Sequence, residues 1–333
     1  MKICLYLEGS DILKFSGIGN ALEQQIKALK LNNVDYTLDL TEDYDIIDII
    51  SFGPRSFFIA KKAKKLGKKV VMHTHTVHEN FKNSYTLSNQ VAPFLKIFLK
   101  KLYKNADLLI SPGIYAKIVL RECGLKNRIE IISNGIDLKK FYYSKEKKKE
   151  YREKFNLEGI VPFSTGYLFA RKGITTFTNI AKKFPQNNFI WYGRILNLYL
   201  VSSLEIRHAL IEHPKNVIFT GFVKDILAAY NSGDIFFFPS HSETQGIVIL
   251  EAAATNHPLL LRDIPAYRGW LTHQDNCLKA KNDEEFSEYL KLLIEDKNLR
   301  EKLSKNAYKM VKKHNLKDVG KQLKQVYESL INS

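Results

Sequence analysis

The chain has 333 residues, of which 45% are hydrophobic and 26% charged, and its formal net charge is +16. That apolar share supplies one large core or two smaller ones and excludes global disorder. The cysteines, Cys4, Cys123 and Cys277, are scattered and unpaired in sequence, which excludes a disulfide framework and a CxxC zinc site.

The positive charge is uneven. Residues 1–155 carry 28 basic and 17 acidic side chains, and the remainder 23 and 18. A basic front half calls for an anionic partner, either nucleic acid or a membrane surface. The opening Met1-Lys2-Ile3-Cys4-Leu5-Tyr6-Leu7-Glu8 is too short for a signal-peptide core and reads as a strand. No stretch approaches the ~20 apolar residues of a spanning helix. The expectation is a protein of the cytosol, or one held peripherally on the cytoplasmic face of a membrane.

Short apolar runs predict strands at 3–7, 44–51, 69–73, 107–111 and 130–133, then at 161–165, 188–192, 217–220, 235–239 and 258–261. Between them, 21–31, 57–66 and 225–231 carry helical spacing. Strands alternating with helices imply an α/β protein with parallel sheets buried on both faces. The run Lys145-Glu146-Lys147-Lys148-Lys149-Glu150, within 144–154, reads as a solvated break with a hinge near 150–160. From Asp283 onward the pattern is helical. The expected division is 1–150, 158–305 and a helical segment 306–333.

Four segments are candidate sites. Gly17-Ile18-Gly19-Asn20-Ala21 fits the start of a dinucleotide fingerprint, with Asp39 about where a ribose-binding acid falls. Residues 8–16 separate it from the strand, so a flexible glycine loop is the better reading. His73-Thr74-His75-Thr76-Val77-His78 lies where a strand ends, the place α/β sheets put their ligands. An acceptor site, hydrogen-bonded structural histidines and a zinc site are all open there. After the strand at 161–165, Arg171-Lys172-Gly173 at a strand-to-helix turn forms a phosphate site or, more blandly, two solvated cations. Lastly, Phe238-Pro239-Ser240-His241-Ser242-Glu243-Thr244-Gln245-Gly246 ends a strand and opens a helix that carries Glu251. Ionised carboxylates there accept hydrogen bonds from sugar hydroxyls.

Residues 89–104 raise the question of a membrane. Phe94, Leu95, Ile97, Phe98, Leu99, Leu102 and Tyr103 give an apolar face, and Lys96, Lys100, Lys101 and Lys104 the cations. This is the composition of an interfacial helix on anionic lipid; a packed helix with lysines in water is the alternative. Lys61, Lys62, Lys64, Lys65, Lys68 and Lys69 add charge in the same half. Nucleic acid is disfavoured: no binding signature is present, and the aromatics fall mainly in apolar strand runs.

In their order along the chain these motifs resemble the family 4 retaining glycosyltransferases of the GT-B fold. Gly17-Ile18-Gly19 is similar to the family's glycine loop and Asn134-Gly135-Ile136-Asp137 to its Asn-Gly-(Val/Ile)-Asp signature. Arg171-Lys172-Gly173 looks like its phosphate loop, Gly221-Phe222-Val223 like a strand end, and Glu243 to Glu251 like its E-x7-E motif. The resemblance implies two Rossmann-like domains facing a cleft, with a C-terminal helix crossing back onto the first. It implies a nucleotide-sugar donor, UDP-glucose first and UDP-galactose next, with no permanent cofactor and no metal. Lys172 and Arg171 would hold the diphosphate, Glu243 the transferred sugar and Glu251 the ribose. Gly17, Gly19 and Gly246 would belong to the donor site, and His73 would line the reaction centre. Tyr167 stands where many members carry Arg, so either Arg171 compensates or phosphate binding is weaker. Residues 72–85, including His75, resemble the acceptor region of bacterial diglucosyldiacylglycerol synthases, which implies a monoglucosyldiacylglycerol acceptor. A polysaccharide or polyprenyl-linked acceptor is the alternative.

Overall fold

The structure, a computed structural model, describes residues 1–13, 16–84, 87–194 and 204–332. Its strands are β1 (Lys2–Tyr6), β2 (Asp35–Thr37), β3 (Ile46–Ile49), β4 (Lys69–His73), β5 (Leu108–Ser111), β6 (Arg128–Ile131), β7 (Pro162–Thr165), β8 (Phe189–Tyr192), β9 (Val217–Gly221), β10 (Ile235–Phe238), β11 (Leu259–Arg262) and β12 (Leu278–Ala280). The α-helices are α1 (Ser10–Leu13), α2 (Gly17–Leu31), α3 (Pro54–Lys65), α4 (His78–Phe81), α5 (Ser88–Tyr103), α6 (Ile114–Glu122) and α7 (Lys145–Phe155), then α8 (Ile174–Lys183), α9 (Leu204–Ile211), α10 (Ile226–Ser232), α11 (Ile247–Ala254), α12 (Asp283–Glu295), α13 (Lys297–Lys312) and α14 (Leu316–Ile331). The chain divides into two units: Met1–Phe81, Asn89–Asp137 and His314–Ser333 form the first; Lys82–Ser88 and Leu138–Lys313 form the second.

In the first unit six strands pair in the order β2-β1-β3-β4-β5-β6, all parallel. Side chains alternate between the faces. Cys4, Ile47, Ile49, Val70 and Met72 pack with Ala60 and Ala63 of α3, Leu99 and Leu102 of α5, and Ala116 and Val119 of α6. Ile3, Leu5, Ile46 and Val71 pack with Ala28 and Leu29 of α2 and Leu316, Val319 and Leu323 of α14. Each face is covered by helices, as a parallel sheet requires. The second unit repeats the plan in the order β12-β11-β10-β7-β8-β9 around Phe177, Trp191 and Phe237.

The C-terminal helix returns to the first unit, and the return begins at His314 rather than at 306. Ile136 N donates to His314 O at 2.9 Å, so the Asn-Gly-Ile-Asp signature marks both the exit from the unit and the point of return. α14 then lies hard against α2. A Cβ on Gly320 would sit 2.2 Å from the Ala28 carbonyl oxygen. Gly320→Ala is therefore expected to destabilise the unit by about 1–3 kcal/mol through overpacking. Thermal unfolding followed by circular dichroism reads this as a lowered midpoint.

Three expectations from the sequence are corrected by the structure. The charged run at 145–150 is not a break but part of α7, with Ser144 Oγ accepting from Lys147 N at 3.2 Å as its N-cap; Lys145, Glu146, Lys149 and Glu150 are exposed, as expected of a solvated run. Lys148 and Arg152 pair with Asp234 at 2.5 and 2.9 Å, which ties α7 to the second unit and moves the boundary from about 150 to 137/138. β2 and β12, three residues each, are not legible in the sequence: both are edge strands too short to show alternation. Finally, Gly17 and Gly19 are not a flexible loop. They form the first turn of α2, capped by Ser16 Oγ accepting from Gly19 N at 3.3 Å.

Candidate functional site

In the second unit the phosphate-loop and E-x7-E segments meet at the carboxyl end of the sheet. After β7 the chain turns at Gly166, makes a short 3-10 turn over Ala170–Lys172 and enters α8 through Gly173. Gly173 has φ +79°, and a Cβ there would meet Pro239 O at 2.3 Å, so the loop after β7 and the loop after β10 touch along their backbones. His241 N donates to Arg171 O at 2.7 Å and seals the contact.

This contact brings Arg171, Lys172 and Glu243 together. Lys172 Nζ donates to Glu243 Oε1 at 2.5 Å, and Ser240 Oγ donates to the same oxygen at 2.7 Å. Arg171 Nη1 lies 3.7 Å from that oxygen and donates to Ser242 O at 2.9 Å, while its Nε donates to Ser84 Oγ at 2.8 Å. The lysine ammonium sits 4.9 Å from the Phe238 ring centroid. These are not solvated cations: the Lys172 side chain is 12% exposed and Glu243 9%. Burial alone would raise the glutamate, but Lys172 and Arg171 outweigh it and hold the carboxyl below its usual range. Burial pushes Lys172 down to about 8, with Glu243 opposing that shift and Arg171 adding to it.

Below about pH 8 Lys172 is protonated and offers its charge to an anion; above it the ammonium is lost. Binding of a diphosphate at this ammonium is expected to weaken as pH rises through about 8. In Lys172→Arg, always charged, that dependence disappears. Calorimetric titration across the range measures both.

Glu251 has different company. It is buried on α11 and accepts from Tyr230 Oη at 2.6 Å; that hydroxyl also lies 2.8 Å from Thr165 Oγ1. Burial raises the Glu251 carboxyl, and the tyrosine hydrogen bond opposes the shift. Gly246, with φ +89°, caps α11 between the two glutamates. Sequence reasoning does not single out Tyr230, Thr165 and Ser240, because nothing local distinguishes a hydroxyl that faces a carboxylate from one that faces water.

In the first unit, His73 ends β4 and is buried. Its Nε2 lies 3.1 Å from Asp48 Oδ2, and its ring stacks on that of His75 with centroids 5.1 Å apart. Burial pushes His75 down to about 3, with His73 adding to the shift, so it stays neutral near pH 7. Among the described residues no group of three or more His, Cys, Asp or Glu is placed to hold a metal ion. Sequence reasoning misses Asp48, although an aspartate inside the buried run Ile46-Ile47-Asp48-Ile49 is a usable signal, since a buried charge demands partners.

The α5 lysines differ from their expected arrangement. Ala92, Leu99, Leu102 and Tyr103 turn into the core, whereas Phe94 is 73% exposed and Ile97 56%. Helical spacing places Val91, Phe94, Ile97, Lys101 and Lys104 along one exposed stripe. Lys96 and Lys100 instead line a groove toward α6 with Val119 and Cys123. α5 is thus a packed helix with a second, outward apolar stripe, and the lysines do not lie opposite it. No described helix is long and apolar enough to cross a membrane.

Comparison with known proteins matches these features to one family. Residues 145–310 match the model for group 1 glycosyl transferases, and residues 27–140 that for glycosyltransferase family 4. The chain is 36% identical to a processive diacylglycerol alpha-glucosyltransferase of Acholeplasma laidlawii, with 99% of each chain covered. It is 24% identical to an alpha-galactosylglucosyldiacylglycerol synthase of Streptococcus pneumoniae, over 79% of this chain and 72% of that one. The structure of Anabaena Alr3699/HepE with UDP and glucose superimposes with a TM-score of 0.79 at 18% identity, covering 99% of this chain and 100% of that one. The chain belongs to the group 1, family 4 glycosyltransferases and has their GT-B fold.

Proposed function

We propose that this protein transfers glucose from UDP-glucose to a diacylglycerol-based glycolipid, monoglucosyldiacylglycerol above all, at the cytoplasmic face of an anionic membrane. The observation that carries the reading is the buried Arg171, Lys172 and Glu243 cluster in a chain 36% identical to a diacylglycerol glucosyltransferase. The donor's charge then determines the roles. As the bond between the anomeric carbon and the phosphate oxygen breaks, negative charge gathers on the diphosphate, and Lys172 and Arg171 stabilise it in a site shielded from water. Glu243 accepts from hydroxyls of the transferred sugar and Glu251 from the ribose. Gly17 of α2, where a Cβ would meet nothing within 4 Å, leaves backbone open to phosphate approach, and Gly19 beside it belongs to the same turn.

Retention follows from attack on the face the phosphate leaves. The acceptor oxygen bonds to the anomeric carbon, and its proton passes to a phosphate oxygen of the departing UDP. No carboxylate nucleophile is needed. His73 lines this reaction centre, and His75 packs behind it. The chemistry requires neither a resident cofactor nor a metal, since the two cations carry the charge that a metal would.

The membrane part of the reading rests on one layer of the first unit. α3, α5 and α6 share a face of the sheet. They expose Phe58, Phe94, Ile97, Ile114 and Ile118 among Lys61, Lys62, Lys64, Lys65, Lys101 and Lys104. Apolar side chains set among cations suit an anionic lipid surface better than a nucleic acid, whose phosphates give apolar groups nothing to enter.

The test is transfer in detergent micelles, with labelled UDP-glucose and UDP-galactose supplied separately to diacylglycerol, monoglucosyldiacylglycerol and a polyprenyl-linked sugar. A glucosylated lipid is the expected product. Galactose transfer to the same lipid would reassign the donor, the reading favoured by the pneumococcal relative's name. A product on the polyprenyl substrate alone would reassign the acceptor.

A further inference from the structure

Asp48 belongs to a buried network that the donor chemistry does not use. It lies in the middle of β3, fully buried, and a single oxygen, Oδ2, receives every contact. Gln25 Nε2 of α2 donates to it at 2.6 Å, Tyr327 Oη of α14 donates to it, and His73 Nε2 of β4 faces it at 3.1 Å. Gln25 Nε2 also lies 2.9 Å from the Tyr327 hydroxyl. The other oxygen, Oδ1, is buried with no hydrogen-bond partner. A carboxylate in such a place would ordinarily protonate, yet the donors around it hold it ionised: burial raises its pKa, and His73, Tyr327 and Gln25 together lower it further. An ionised carboxylate only accepts. The ring nitrogen that faces it must therefore carry hydrogen, and whenever the ring carries a single hydrogen Nδ1 is the acceptor. The groups around the ring are Asp48 on β3, Tyr327 on α14, which also contacts Asp48, and the stacked, neutral His75.

We propose that Asp48 is a positioning residue that fixes His73 in the Nε2–H tautomer and orients its ring. Through Tyr327, the C-terminal helix then serves the reaction centre as well as covering the sheet. Three elements hold the one oxygen: α2, whose first turn carries Gly17 and Gly19; β4, which ends in His73; and α14. A helix that only closed the sheet would need an apolar side chain at 327. A tyrosine buried against a carboxylate spends its hydroxyl on Asp48.

The proposal rests on the reading of His73 as part of the reaction centre, and the experiment separates the two. Nitrogen-15 ring shifts of His73, recorded in the full-length protein without substrate as pH is raised, are expected to keep Nε2 protonated throughout, with any loss of the ring proton falling on Nδ1. A bare Nε2 with protonated Nδ1 overturns the proposal whatever the enzyme does. In the transfer assay, Asp48→Asn keeps the side-chain shape and is expected to lower kcat about 10–100-fold, the range seen when the partner that orients a metal-bound histidine is lost, with KM for UDP-glucose unchanged. Tyr327→Phe, the milder change, is expected to lower kcat less and likewise to spare KM. It decides the matter should Asp48→Asn fail to fold. Wild-type kcat in these variants, alongside a His73→Ala that is inactive, overturns the positioning role. Wild-type turnover in His73→Ala overturns the placement of His73 instead, and the tautomer is then still decided by the spectrum.

Discussion

Lys172→Ala is expected to lower glucosyl transfer by about 10²–10³-fold, the range measured when one preorganised charge-stabilising group is removed from an active site. The fold should survive. Once the ammonium is gone, Glu243 still accepts from Ser240 at 2.7 Å and still faces Arg171 at 3.7 Å, so its buried charge is not left alone. Glu243→Gln keeps the volume and the Ser240 contact while removing the negative charge. It should likewise cost turnover, with little change in thermal midpoint. Glu243→Ala is the harsher variant, because it also removes the side-chain volume and the Ser240 contact; in both variants Lys172, already lowered to about 8, loses its carboxylate and sheds its proton more readily still. Single-turnover rates and melting curves on the same preparations separate loss of chemistry from loss of fold. Near-wild-type rates in Lys172→Ala would remove the cation from the mechanism.

The second large effect concerns the membrane. Replacing Lys96, Lys101 and Lys104 by glutamine removes exposed cations from α5, and at about fivefold per cation near an anionic surface the loss in vesicle binding is about 10²-fold. Lys100, half-buried in the groove, is the lesser contributor. The salt dependence should flatten in parallel, because fewer charges are left to screen. A Phe94→Ser, Ile97→Ser pair keeps every charge and tests the apolar stripe alone. It should weaken binding at high salt as much as at low. Donor hydrolysis in solution, which needs no contact with a membrane, should be untouched in both variants. Flotation with phosphatidylglycerol vesicles measures the binding; unchanged flotation in both variants would remove α5 from the contact.

Much of this architecture is legible in the amino-acid sequence. Parallel strands buried on both faces read as short apolar runs, and a run such as Phe236-Phe237-Phe238 has few other interpretations. The loop carrying Glu243 and the helix carrying Glu251 are legible for the same reason: a strand that ends at a proline and a glycine that starts a helix are local signals. What escapes is non-local. The run at 145–150 reads as a break because Asp234, the aspartate that anchors its Lys148, lies more than eighty residues away, and composition reports charge without reporting what neutralises it. Residues 91–97 read as half of one amphipathic face because periodicity gives the width of an apolar stripe but not which part of it the core takes. Asp48 and Tyr327 come from opposite ends of the chain, so no spacing rule joins them.

In the proposed reading, one protein joins UDP-glucose chemistry to a lipid surface. It is tested most directly by the initial rate of labelled glucolipid formation from UDP-glucose on vesicles holding monoglucosyldiacylglycerol, with and without phosphatidylglycerol. The expected product is a glucosylated lipid whose rate of formation rises with the anionic lipid and falls with salt. Transfer at the same rate on neutral vesicles would contradict the membrane role, and no lipid product on either would contradict the acceptor.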